Sequence, residues 1–131
     1  MFAPAPGPAP LEPKDPLDPG TLRQLQDLGD DDPDFLPGVL RSFRDHATSA
    51  VATLEAAVRA GDTAAVKRAA HSLKGGAGNI GARDLSSRCA ALEAATVGRG
   101  DLVAALGDVV AEARRVGARI DAELTGGRGR G

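Results

Sequence analysis

A chain of 131 residues has room for one modest domain with a single core. Hydrophobic residues make up 42% of it but include only three Phe and no Trp or Tyr, so the apolar payload is Ala, Leu and Val, which suits close-packed helices better than a sheet. A formal net charge of -2 argues against nucleic-acid binding by bulk electrostatics, and the single Cys89 rules out an internal disulfide or a cysteine metal site.

The opening residues, MFAPAPGPAP, have neither a basic start nor an unbroken apolar run, so they do not read as a signal peptide. Proline alternating with small residues makes 1–16 a disordered or extended segment. No stretch approaches the roughly 18 apolar residues of a membrane span, and a soluble cytoplasmic protein is expected. Asp18-Pro19 is a cap followed by a first-turn proline, and Leu22, Leu25 and Leu28 give a short helix ending near Gly29. A second start signal stands at Asp32-Pro33. Phe35, Leu36, Val39, Leu40, Phe43, Ala47, Ala50, Val51, Leu54 and Val58 then recur at helical spacing up to Gly61.

Asp62 caps a third helix running to about Ile80, and a fourth spans roughly Ala82 to Val97 with Leu85, Cys89 and Leu92 inside. Asp101 opens a fifth, striped by Leu102, Leu106, Val109, Val110, Ala113, Val116, Ile120 and Leu124. From Thr125 the Gly/Arg tail 125–131 reads as disordered. Short connections make successive helices antiparallel neighbours. The expected fold is all-α: an antiparallel up-down four-helix bundle over 17–124, with the short first helix packed across one end.

The third helix carries the unusual sequence AAHSLKGGAGNIGA. At about 100° per residue, Val66, Ala69, Leu73, Gly76 and Ile80 fall opposite His71, while Lys67, Arg68, Lys74, Gly75 and Gly78 lie within about 60° of it. That places His71 in the middle of the solvent face. Gly75, Gly76 and Gly78 each cost roughly 1 kcal/mol against Ala inside a helix, together a sizeable part of a typical stability of about 5–15 kcal/mol. On the outer face Gly75 and Gly78 leave the imidazole unshielded, and on the inner side Gly76 permits close packing. An exposed imidazole is a competent nucleophile near neutral pH. Lys67, Arg68 and above all Lys74, three residues on, could offset the charge of a phosphoryl group bound there.

At these residues the chain resembles the histidine-containing phosphotransfer (HPt) domains of bacterial two-component phosphorelays. His71-Ser72-Leu73-Lys74-Gly75 followed by Gly81-Ala82 is similar to their HxLKGx(5)GA signature. Phe35-Leu36 and Phe43 resemble the family's second helix, and Leu85, Cys89, Leu92 and Glu93 its fourth, so the likeness covers about 18–124. The resemblance implies a helical-bundle phosphocarrier rather than an enzyme, without an ATP site, metal or cofactor of its own. His71 would be the phosphoacceptor, usually through Nε2, and Lys74 the phosphate neighbour. Gly75, with Lys67, Arg68 and Gly78 around it, would form the docking face, while Leu73 and Gly81 would be structural. Gly76 departs from the small polar residue often found there. The implied partners are response-regulator receiver domains, which bring the Mg2+ and the acidic pocket, and a hybrid histidine kinase; neither nucleic acid nor membrane is implied, and a monomer is expected.

Other readings of the same residues are weaker. Gly76 to Gly81 also spells GxGxxG, but a dinucleotide site needs a preceding strand, and the residues before it are helical by pattern. His46 reads as a solvated bundle-edge histidine, Asp30, Asp31, Asp32 and Asp34 as helix-boundary caps, and Cys89 as a core thiol. Two alternative functions share the bundle: the phosphoacceptor domain of a chemotaxis-type histidine kinase, and a helical module that only docks or dimerises.

Overall fold

The computed structural model describes residues 15–98 and 101–130, with side chains as far as residue 126. Residues 1–14 of the Pro/Ala-rich segment lie outside the described residues. The described residues form five helices and no strand: α1 Pro19–Gly29, α2 Phe35–Ala60, α3 Thr63–Asn79, α4 Arg83–Ala95 and α5 Leu102–Arg130. Helix α3 packs between α2 and α4, α5 between α4 and α2, and α1 lies on α2. Their shared core centres on Leu40, Leu54, Leu73, Leu85, Leu92 and Ile120, each fully shielded from solvent.

Local signals account for most of the boundaries. Asp18 caps α1, its Oδ2 accepting the Thr21 amide at 3.0 Å and the Thr21 hydroxyl at 2.8 Å. These hydrogen bonds hold the Asp18 carboxyl below the usual carboxylate range. Asp62 caps α3 through the Ala65 amide at 3.0 Å, and Asp101 takes the Val103 and Ala104 amides at 3.0 and 3.2 Å. Helix α2 starts two residues later than the Asp32-Pro33 signal indicates. Asp32 spends its carboxylate on the Asp34 amide at 2.9 Å, and Asp34 stands at the N-cap without a side-chain bond. The aspartate cluster therefore divides into a turn former at Asp32 and the α1 C-cap at Asp30, which adopts φ 51°.

Three boundaries or faces differ from expectation. The fold begins before residue 17: Asp15 Oδ1 accepts from Arg119 Nε at 2.9 Å. At the other end, α5 continues through 125–130, which read as a disordered tail. Thr125 and Gly126 are exposed, so helix propagation from the packed turns, rather than burial, carries the backbone on. On α3 the buried residues are Val66, Ala70, Leu73 and Ala77, continued by Ile80 at the C-cap, while Ala69 and Gly76 are only half-buried. Packing between two neighbours selects this heptad-like set and turns the buried stripe by about 40°. Gly75, rather than His71, consequently stands at the centre of the solvent face, and His71 leans toward α4.

The turn after α3 is clamped from outside. Gly81 adopts φ 78°, and a Cβ there would meet the Thr21 side chain at 2.7 Å. The Gly81 carbonyl accepts the Asp18 amide at 2.9 Å, and Arg83 reaches Asp18 at 3.4 Å. The start of α1 thereby pins the C-terminal end of the histidine-bearing helix.

Candidate functional site around His71

His71 projects from the middle of α3 with 71% of its side chain exposed. Its lean toward α4 brings Nδ1 to 3.2 Å from Glu93 Oε2. The other oxygen of Glu93, Oε1, lies 2.6 Å from Lys74 Nζ. Glu93 is mostly shielded, at 15% exposure. Its ion pair with Lys74, aided by the bond to His71, outweighs the burial and holds the carboxyl below its ordinary range. Beneath the cluster, burial, reinforced by the Glu93 charge, pushes the Cys89 thiol up to about 11. Cys89 thus stays a protonated core group at neutral pH. A further bond ties the two helices, from Ser86 Oγ of α4 to the Lys74 carbonyl at 3.3 Å.

The structure brings His71 and Lys74 together through a carboxylate that sequence reasoning assigned no part in the site. Lys67, Arg68, Gly75 and Gly78 are all exposed around the histidine. A Cβ built on Gly75 or Gly78 would meet nothing within 4 Å. Gly76 differs: its Cβ would come within 3.1 Å of the Phe43 ring and 3.6 Å of His46. His46 itself is exposed on α2, with Nε2 3.4 Å from Ser72 Oγ. It is a solvent-exposed histidine at the edge of the bundle, and it borders Ser72, the residue next to His71. Among the described residues no cluster of three or more His, Cys, Asp or Glu could hold a metal ion.

Glu93 had a legible signal. Leu85, Cys89 and Glu93 are spaced four apart, so the carboxylate continues the apolar stripe of α4 by one turn. A charge in that register faces a neighbouring helix, where it needs a partner. The sequence does not say which helix that is.

The described residues, helical throughout their regular structure, thus present an exposed histidine in contact with a carboxylate on a glycine-rich helix. The Hpt domain family matches residues 38–125. The crystal structure of histidine-containing phosphotransfer protein B (HptB) from Pseudomonas aeruginosa PAO1 superposes with a TM-score of 0.73 at 31% identity, covering 82% of this chain and 92% of that one. No curated protein matches the chain. The chain belongs to the Hpt domain family, the histidine phosphotransfer intermediates of phosphorelays. Such domains are phosphocarriers that partner receiver domains and histidine kinases. No described helix is long and apolar enough to cross a membrane.

Proposed function

We propose that His71 Nε2 accepts a phosphoryl group from the phospho-aspartate of one receiver domain and passes it to the aspartate of another. The observation that carries this reading is the Glu93 contact at Nδ1. A carboxylate there favours the tautomer with its proton on Nδ1, which leaves the Nε2 lone pair free on the exposed edge of the ring. In the forward step the Nε2–P bond forms as the bond from phosphorus to the aspartyl oxygen breaks, and the electron pair leaves with the receiver's carboxylate. The Nδ1 proton stays against Glu93, which offsets the positive charge developing on the ring. The Mg2+ and acidic pocket belong to the receiver, so this chain supplies an oriented nucleophile and open access.

Lys74 is the phosphate neighbour in this reading. In the unphosphorylated chain its ammonium rests on Glu93, and a phosphoryl group on His71 would compete for it with about two negative charges. Lys67, Arg68, Gly75 and Gly78 form the docking face. We read α2 to α5 as an antiparallel up-down bundle with α1 across one end, a cytoplasmic and monomeric carrier. The 31% identity to HptB supports the phosphorelay reading.

The test is transfer from receiver domains phosphorylated with acetyl phosphate and Mg2+. The wild-type chain should acquire an acid-labile, base-stable label, and His71→Gln should acquire none. A label that persists in His71→Gln, or wild type that no receiver labels, would refute the assignment.

A further inference from the structure

We propose that His46 is a docking residue for the receiver domain, which seats on the α2 side of His71. The inference rests on the phosphotransfer reading above and adds a contact that the Hpt motif does not contain. Its starting point is the direction in which the nucleophile faces. Nδ1 is held toward α4 by Glu93 at 3.2 Å, and the lone-pair directions of the two imidazole nitrogens, which flank Cε1, diverge widely. Nε2 therefore faces away from α4.

The ground on that side is low. Gly75 has open space where a Cβ would stand, and Gly76 presents only backbone. Arg68 borders this ground one turn back on α3, and beyond it stand Ser72 and His46, with His46 Nε2 3.4 Å from Ser72 Oγ. Gly76 is the reason that His46 stands there. A Cβ at that position would press on the Phe43 ring at 3.1 Å, so the bare backbone lets α2 close on α3. Phe43 is buried and supports His46 from within, their ring centroids 6.3 Å apart and tilted by 60°.

His46 is thus backed by Phe43 and Ser72 on one side and exposed on the other. Of the charges beside it on α2, Arg44 is held by Asp121 at 2.7 Å and Asp45 is exposed. A body that reaches Nε2 across the glycines covers this ring. An imidazole can donate to a carboxylate or to a backbone carbonyl at the rim of the receiver's acidic pocket, and it can accept from a backbone amide. A side chain held in place before contact loses little entropy on binding, which favours it as an anchor.

The experiment measures initial phosphotransfer rates against receiver concentration, using a receiver that labels wild type and leaves His71→Gln unlabelled. For His46→Ala the half-saturating receiver concentration should rise about tenfold, as for an interface anchor. The maximal rate should stay within about twofold, and His46→Gln should recover most of the loss. Phosphoramidate, a donor too small to need docking, should label His46→Ala at the wild-type rate. Unchanged half-saturation would overturn the docking role alone, leaving the His71 assignment intact. A fall in maximal rate matched by slower phosphoramidate labelling would also overturn it, since His46 would then act on the His71 imidazole itself. Loss of labelling specificity at His71 would remove the phosphotransfer reading and this proposal together.

Discussion

On the α4 flank of α3, Glu93 gathers His71 Nδ1 and Lys74 Nζ into one cluster at 3.2 and 2.6 Å, above a fully buried Cys89. On the α2 flank the same helix offers glycine backbone, Ser72 and the exposed Arg68, beside the exposed imidazole of His46 on α2. The first flank is built from charge and orients; the second is built from missing side chains and admits. A group carrier needs both, because a nucleophile that is well oriented but covered cannot meet a partner's aspartate, and one that is accessible but loose loses rate. The helix separates the two tasks by about 160° around its axis, from Lys74 through His71 to Ser72.

Removing the orienting flank should have the largest effect. Glu93→Ala takes away a charge-assisted bond worth about 1.5–3 kcal/mol, so saturating phosphotransfer should fall about tenfold to a hundredfold, with partial recovery in Glu93→Gln. Nitrogen NMR should show that the His71 tautomer preference weakens. An unchanged rate and tautomer would mean that the α4 flank only packs. Filling the admitting flank should come next. Gly76→Leu forces a side chain against Phe43 and should cost about 2 kcal/mol in urea denaturation, the scale of overpacking.

Gly75→Ala makes the sharpest contrast with it. Nothing crowds that Cβ, so the fold should gain up to about 1 kcal/mol while transfer from a receiver slows and phosphoramidate labelling does not. If Gly75→Ala destabilises instead, the open-face account of the glycines is wrong. The smallest effect is in pH dependence. The Glu93 carboxyl titrates below its ordinary range in the folded chain. The stability it lends is therefore fully present above the ordinary carboxylate range and is lost as pH falls through the lowered folded value. Asp18 acts with the same sign. Thermal melts between neutral and acidic pH should lose stability less steeply in Glu93→Gln than in wild type.

Periodicity and capping residues, read along the chain, find all five helices, because local hydrogen bonds and helix period are local properties. They also find His71, whose neighbours within two turns explain its exposure. Where the reading fell short, a neighbouring helix had decided the outcome. Asp15 joins the fold through α5, across 104 residues of chain to Arg119. The buried face of α3 turned because two helices press on it, selecting Ala70 and Ala77 over Ala69 and Gly76.

By itself, then, the sequence determined the helical class, the order of elements and the identity of the exposed histidine with its glycine clearance. Only the tertiary structure decided which carboxylate faces that histidine, and that Lys74 rests on Glu93 beside it. The same is true of the second imidazole, His46, standing at the edge of the open side. Those choices depend on how α2 and α4 are rotated about their axes against α3. Side-chain volumes fit together across the helix interfaces to set that rotation, and they come from residues far apart in the chain.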